Sequence, residues 1–199
     1  MIAVIDYGVG NLFSVEKAFA AIGEEVKVTG EAEDLKMADK LVLPGVGAFG
    51  DCMKNLEATD LIPIILEQII NKKPLLGICV GLQILFEGSE ESPNSKGLGV
   101  FKGMVRRINA PQLKIPHMGW NSVTTHNSLF EGLNENPYFY FVHSYHAVPE
   151  DRSLITATTE YGETLTAAVA RDNIYATQFH PEKSGDVGLQ LLKNFVNMG

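Results

Sequence analysis

The stretch Leu75-Leu76-Gly77-Ile78-Cys79-Val80-Gly81-Leu82-Gln83 is the most informative part of this chain. An apolar strand runs into Gly-x-Cys-x-Gly and then into a helix predicted over Val80–Phe86, the pattern of a nucleophile elbow with sulfur in place of oxygen. Side chains at Gly77 and Gly81 would crowd the backbone of so sharp a turn. The turn places Cys79 at the amino end of the helix, where the dipole favours a thiolate. It also leaves the following N–H free for an oxyanion. A buried structural cysteine is the alternative interpretation.

Around this stretch, short apolar runs alternate with segments of helical periodicity. Strands are predicted at Ile2–Ile5, Val26–Val28, Leu41–Leu43 and Pro74–Ile78, and helices from Asn11 to Ile22 and over about Asp51–Asn71. Strands that alternate with helices indicate βαβ units and a parallel sheet covered on both faces.

The second half of the chain is richer in strands. Strands are predicted at Val100–Ile108, Tyr138–Tyr145, Leu154–Thr159, Leu165–Arg171 and Ile174–Phe179, followed by a helix over Val187–Asn197. We predict an α/β fold with a single open, mostly parallel sheet flanked by helices and a strand-rich C-terminal half. The absence of repeats and of a linker favours one domain over residues 1–199.

Composition excludes several classes of function. The chain has 199 residues and a net charge of −8, with no basic run longer than two residues, which disfavours a nucleic-acid binder. Two cysteines are too few for a disulfide framework. The amino terminus lacks the pattern of a secretory signal, and no apolar stretch is long enough to span a bilayer. We therefore expect a cytoplasmic protein.

A cysteine nucleophile needs a base and a group that orients the base. His180 follows the predicted strand Ile174–Phe179, and Glu182 lies two residues further on. Because alternate residues of an extended segment project to the same side, Glu182 can reach the imidazole, and Pro181 is expected to keep the segment extended. A partly buried histidine beside a surface glutamate is the alternative. The candidate bases are the five histidines of the chain, His117, His126, His143, His146 and His180.

A metal site is the competing use of these residues, and we do not expect one. His143 and His146 are three residues apart, and an odd separation within a strand sends the two rings to opposite faces. The sequence contains no Cys-x-x-Cys and no His-Glu-x-x-His.

Three motifs, in this order, give the chain its resemblance to the class I (triad) glutamine amidotransferases, whose fold is flavodoxin-like. They are Pro44-Gly45-Val46-Gly47, the elbow at 77–83, and Phe179-His180-Pro181-Glu182. More narrowly, the chain is similar to the glutaminase subunits of imidazole glycerol phosphate synthase, which belong to histidine biosynthesis. That similarity rests on Asp6–Asn11, Pro116-His117-Met118-Gly119-Trp120-Asn121, Phe141–Tyr145 and Lys183-Ser184.

The resemblance implies a reaction and the residues for it. Cys79 would attack the side-chain amide of L-glutamine, with His180 and Glu182 completing a catalytic triad and no cofactor required. The implied oxyanion hole comprises Val46, Gly47 and Val80, and its glycine loop would need a peptide flip. The implied glutamine-binding residues are Gly47, Gln83, His143 and Ser144. On sequence grounds alone the loop could be a plain tight turn, and Gln83 an exposed helix residue.

The resemblance also implies a partner, the (β/α)8-barrel cyclase subunit that consumes the ammonia. The positions that would face it are Asn11, Trp120, Tyr140 and Lys183. Tryptophans occur equally at interfaces and in cores, and a lysine such as Lys183 is more often a solvated charge. His146 departs from the family pattern, and the sequence assigns it no role.

Other functions remain open at this stage. The same chemistry could supply anthranilate, aminodeoxychorismate or pyridoxal phosphate synthesis. A catalytically silent binding module is disfavoured by the intact cysteine, histidine and glutamate. A redox domain with a reactive cysteine would not need Gln83 or the segment His180–Glu182.

Overall fold

The computed structural model describes residues 1–125 and 127–198. His126, one of the five candidate bases, lies outside the described residues.

Helices are concentrated in the first half and at the carboxyl end. The α-helices are α1 (Leu12–Ala21), α2 (Ala32–Met37), α3 (Phe49–Glu57), α4 (Ile62–Ile70), α5 (Val80–Gln83) and α6 (Gly185–Asn197). Single 3₁₀ turns lie at Ser128–Phe130, Arg152–Leu154 and Pro181–Lys183.

Strands occur throughout the chain. They are β1 (Ile2–Ile5), β2 (Val26–Thr29), β3 (Lys40–Gly45), β4 (Leu75–Cys79), β5 (Gly88–Ser89), β6 (Gly103–Arg107), β7 (His117–Ser122), β8 (Thr124–Thr125), β9 (Tyr138–His143), β10 (Tyr145–Pro149), β11 (Ile155–Glu160), β12 (Thr164–Arg171) and β13 (Ile174–Thr177).

The main sheet has eight strands in the order β2-β1-β3-β4-β13-β12-β11-β8. The strands from β2 to β13 pair in parallel, and the pairings from β13 to β8 are antiparallel. Two small sheets, β10-β6-β5 and β7-β9, stand beside it. The predicted fold class, an open and mostly parallel sheet flanked by helices, is confirmed. The second half extends the main sheet only in part.

The central strands are buried because helices cover both faces of the parallel part. Every residue of β1 and β4 is buried. Helix α1 contributes Phe19, helix α3 contributes Phe49, and helix α6 contributes Phe195, all fully buried. The apolar spacing that predicted these helices is therefore the spacing of their core-facing sides. None of the described helices is long and apolar enough to cross a membrane.

Two predicted helices were wrong in extent, and one strand beside the site was not predicted. The helical segment predicted over 51–71 is two helices, α3 and α4, separated near Asp60, whose φ of +56° no helix can contain. The helix predicted over Val80–Phe86 ends at Gln83 after one turn. Strand β7 was not predicted, because Gly119 interrupts the apolar pattern of the sequence. In the structure, Gly119 has a φ of +130°.

Pairing between β4 and its neighbours gathers the candidate residues at one edge of the sheet. Gly45, at the end of β3, lies opposite Cys79, at the end of β4. On the other side, Thr177 ends β13 opposite Ile78. The chain that leaves β3 and the chain that leaves β13 therefore flank Cys79, as expected at the carboxyl edge of an open parallel sheet.

Candidate active site

Cys79 occupies the strained turn of a nucleophile elbow. Its φ is +56° and its ψ is −111°, a conformation that costs free energy in a residue other than glycine. A Cβ on Gly81 would overlap the carbonyl oxygen of Leu43, and one on Gly77 would lie 2.9 Å from the carbonyl oxygen of Gly81. The predicted need for both glycines is confirmed.

The helix that follows Cys79 stabilises a thiolate less than the sequence suggested. Because α5 has four residues, its dipole is much smaller than that of a full helix. Val80 is its first residue, so the Val80 N–H has no intrahelical acceptor and can donate to an oxyanion.

His180 and Glu182 form the predicted pair. Nδ1 of His180 lies 2.7 Å from Oε1 of Glu182, and both side chains are almost completely buried. The prediction that Pro181 keeps this segment extended was wrong, because Pro181–Lys183 is a 3₁₀ turn with proline at its start. Proline is tolerated there since the N–H of that position needs no partner.

The charge on His180 is stabilised by its neighbours. Burial alone would lower the pKa of His180, but its interactions with Cys79 and with Glu182 outweigh burial and raise the pKa to about 9. Nε2 of His180 is buried and has no hydrogen-bond partner among the described residues. That nitrogen is therefore available for proton transfer near Cys79.

Gln178 is a residue of the site that sequence reasoning missed. Its Nε2 lies 3.7 Å from Sγ of Cys79, and its side chain is fully buried. Its Oε1 accepts a hydrogen bond of 3.1 Å from Nε2 of Gln83. The signal was present in the spacing, since Gln178 stands two positions before His180, but a buried glutamine carries no motif of its own.

Gln83 is buried and is not the exposed helix residue of the alternative interpretation. Its Nε2 donates to the carbonyl oxygen of Tyr145 at 3.1 Å as well as to Gln178, so both hydrogens of the amide are used. The oxygen Oε1 is the polar atom that Gln83 can offer to a ligand, and it can only accept a hydrogen bond.

The loop after β3 approaches Cys79 from the other side. Gly47 has a φ of +85°, and nothing lies within 4 Å of an added Cβ there. The Val46 carbonyl oxygen accepts a hydrogen bond of 3.3 Å from Sγ of Cys52, and the Pro44 carbonyl accepts one of 2.6 Å from Oη of Tyr7. These two hydrogen bonds hold the carbonyl groups of Val46 and Pro44 in place.

A cavity of about 360 Å³ brings the predicted residues together. Cys79 and His180 meet there with the proposed oxyanion and glutamine-binding residues. Its lining includes Val46, Gly47, Cys79, Val80, Gln83, His143, Ser144 and His180, together with Pro116, Val142, Tyr145, Lys183 and Glu91.

A larger cavity of about 610 Å³ lies elsewhere and is lined by His146, Arg106 and Glu163 among others. Nε2 of His146 is 3.9 Å from Oε1 of Glu163, and burial lowers the pKa of His146. This cavity contains no cysteine, so its size does not make it the catalytic site. Among the residues that the structure describes, no three His, Cys, Asp or Glu side chains are grouped to hold a metal ion.

An exposed apolar face borders the cavity beside Cys79. We call it the Trp120 face, and it consists of Met118, Trp120, Tyr138 and Tyr140 on paired strands β7 and β9. Trp120 is 55% exposed, which excludes a core position. Nζ of Lys183 lies 5.9 Å from the centre of the Tyr140 ring, so this face adjoins the catalytic segment. Asn11 occupies the N-cap position of α1, where its side chain makes no capping hydrogen bond, and it is partly exposed.

Replacing Glu182 with glutamine is expected to lower the pKa of His180 and to reduce hydrolysis through Cys79 on the order of 10²–10⁴-fold, because the imidazolium loses its partner. In the wild type, the raised pKa stabilises the fold fully below pH about 6.5, and this contribution is lost as pH rises through about 9. NMR titration of the His180 ring and unfolding at several pH values measure both effects.

Glu163→Gln is the matched control, since it neutralises the carboxylate that lies near another buried histidine, His146. It should leave the rate and the His180 titration unchanged. An unaltered His180 pKa in Glu182→Gln would contradict the assignment of Glu182.

Cys79 on an elbow, with His180 and Glu182 paired beside it, is the arrangement expected of a hydrolase of the cysteine–histidine–glutamate type. Comparison with known proteins gives the family. The model of the family "Glutamine amidotransferase class-I" matches residues 3–198. The subunit HisH of imidazole glycerol phosphate synthase from Syntrophotalea carbinolica is 50% identical over 206 residues, covering 100% of both chains. The HisH subunit from Thermosynechococcus vestitus is 53% identical, covering 98% of this chain and 95% of its own.

Solved structures agree on the fold. PurLQS from Thermotoga maritima has a TM-score of 0.77 at 20% identity, covering 98% of this chain and 97% of its own. The chain belongs to the class-I glutamine amidotransferase family and, within it, to the imidazole glycerol phosphate synthase subunits HisH. The family predicted from the motifs is confirmed.

Proposed function

We propose that the chain, as one glutamine amidotransferase domain, hydrolyses L-glutamine to glutamate and ammonia. The observation that carries this proposal is the cavity that holds Cys79 next to His180, with Glu182 at 2.7 Å behind it. The Cys79 sulfur attacks the side-chain amide carbon, the C–N bond breaks, and His180 gives its proton to the departing ammonia. Water then attacks the glutamyl thioester, releasing glutamate and the thiol.

Glutamine is bound in the same cavity by groups of complementary polarity. Oε1 of Gln83 accepts a hydrogen bond from a donor of the substrate, because its amide hydrogens are already used. His143 and Ser144 also line this cavity, and Gly47 leaves room for the substrate. The tetrahedral oxyanion is stabilised by the Val80 N–H and by a peptide of the Val46–Gly47 loop.

The ammonia passes to a (β/α)8-barrel cyclase subunit that docks on the Trp120 face. Val142 and Lys183 line the catalytic cavity and border this face, so ammonia is released beside the docked partner. The relatives that are HisH subunits of imidazole glycerol phosphate synthase support this assignment. The products of the complex are imidazole glycerol phosphate and an aminoimidazole carboxamide ribonucleotide in histidine biosynthesis, and we expect the protein to act in the cytoplasm.

The isolated chain should be a poor glutaminase, because free ammonia is wasteful and the Gly45–Gly47 loop can change peptide orientation. The test is glutamate release from glutamine with and without the cyclase subunit and its ribonucleotide ligand. Strong stimulation supports both the reaction and the pathway. Activity that depends on Cys79 but is not stimulated by this partner would indicate that the chain supplies ammonia to another acceptor enzyme. High activity of the isolated chain would contradict the proposed coupling between glutamine hydrolysis and partner binding.

Trp120→Ala is expected to weaken cyclase binding about 30-fold or more, because an exposed tryptophan at the centre of an apolar face is a typical hot spot. Isothermal titration calorimetry with the cyclase measures the change. Ile70→Ala is the matched control, since Ile70 is 76% exposed but lies at the end of α4, before β4 begins. Equal affinities for the two variants would rule out docking on the Trp120 face.

A further inference from the structure

His117 belongs to the segment Pro116–Asn121 that marks the subfamily, yet it is not part of the catalytic cavity. Its side chain is buried between two aromatic rings, with centroid distances of 4.8 Å to Phe141 and 4.1 Å to Tyr161. Packing alone would be satisfied by an apolar ring at this position. The hydrogen bonds of His117 must therefore supply the reason for an imidazole.

These hydrogen bonds form a chain whose direction can be deduced. Nδ1 of His143 lies 2.9 Å from the carbonyl oxygen of Tyr145, which can only accept, so Nδ1 carries the proton. Burial lowers the pKa of His143 to about 3 and that of His117 to about 4, so both rings are neutral. Nε2 of His143 therefore accepts from Nδ1 of His117 at 2.8 Å. Nε2 of His117 then accepts from Nδ2 of Asn121 at 3.2 Å.

From the Tyr145 carbonyl the chain continues to the nucleophile. This oxygen also accepts from Nε2 of Gln83 at 3.1 Å. The same nitrogen donates to Oε1 of Gln178 at 3.1 Å, and Nε2 of Gln178 lies 3.7 Å from Sγ of Cys79. Asn121 follows Trp120 on β7, so the chain connects the strand of the Trp120 face to the reacting sulfur.

We propose that His117 is a positioning residue for glutamine hydrolysis, acting through His143, the Tyr145 carbonyl and the amides of Gln83 and Gln178. This inference rests on the proposed function, and it assigns to the chain of hydrogen bonds a role in that function. Without the Nδ1–H of His117, Nε2 of His143 is a buried acceptor with no donor, and the His143 ring is free to turn away from Tyr145. The Tyr145 carbonyl then no longer fixes the amide of Gln83, and Gln178 is no longer held against Cys79.

Two substitutions separate hydrogen bonding from packing. His117→Phe keeps an aromatic ring between Phe141 and Tyr161 but has no donor, whereas His117→Asn places an amide nitrogen near the position of Nδ1. We expect His117→Phe to lower kcat/KM for glutamine roughly 10- to 100-fold in the presence of the cyclase and its ribonucleotide ligand. His117→Asn should recover most of this loss. His146→Phe is the control, because it replaces a buried histidine outside the chain of hydrogen bonds.

A second measurement uses the wild-type protein, so it does not require any variant to fold. Long-range ¹H–¹⁵N correlation spectra of the wild type should show both His117 and His143 as neutral rings protonated at Nδ1. Protonation of either ring at Nε2 would overturn the inference, as would a His117→Phe variant with wild-type kcat/KM. These failures are distinct from failure of the proposed function, in which the wild type itself would release no glutamate.

Discussion

Replacing Cys79 with alanine is expected to lower partner-stimulated glutamate release on the order of 10⁴-fold or more, because the covalent route through the thioester is lost. The variant should fold normally and still bind the cyclase, since Cys79 is buried and is not one of the residues of the Trp120 face. A steady-state assay of glutamate release measures the rate. Mass spectrometry after treatment with an electrophilic glutamine analogue should find the label on Cys79 in the wild type only.

Cys52→Ala is the matched control for the loss of a thiol. It removes one hydrogen bond to the Val46 carbonyl and should lower the rate by at most about tenfold. Retention of substantial activity by Cys79→Ala, or labelling of Cys52 in its place, would disprove the assigned nucleophile.

Gly81→Ala is expected to lower the free energy of unfolding by about 3 kcal/mol or more, because the new Cβ would overlap the carbonyl oxygen of Leu43. The obstacle is backbone of the neighbouring strand β3, which cannot move aside as a flexible side chain could. The elbow would also open, so activity should fall together with stability. Urea unfolding followed by circular dichroism measures the change.

The control for this substitution is Gly99→Ala. Gly99 has a φ of +65° but open space around an added Cβ, so only the conformational penalty of about 1–2 kcal/mol applies. A loss in Gly81→Ala no greater than the loss in Gly99→Ala would show that the elbow tolerates a side chain.

Local chemistry made much of the fold and site predictable. The parallel core followed from apolar runs bounded by helical periodicity, because strands buried on both faces need continuous apolar sequence. The elbow was predictable because a cysteine with a glycine two positions before it and another two positions after it is typical of few other structures. Glu182 was paired with His180 correctly, although the backbone between them is a 3₁₀ turn and not an extended segment.

Residues without a distinctive local pattern were not predictable. Gln178 and the Nδ1–H of His117 acquire their partners only when β13 and β7 are placed in the fold. Strand β7 was missed because Gly119 and the exposed Trp120 break the alternation that marks a half-buried strand. The break near Asp60 was missed since buried apolar residues at helical spacing resume directly after it, at Leu61 and Ile65.

The pairing of β4 with β13 also has a consequence for biosynthesis. These strands are neighbours in the sheet although Cys79 and Gln178 are separated by 99 positions in the chain. During translation the cysteine leaves the ribosome long before the histidine that assists it. A growing or prematurely ended polypeptide therefore has the thiol without its proposed base, and we expect that it consumes no glutamine until β13 has been inserted into the sheet.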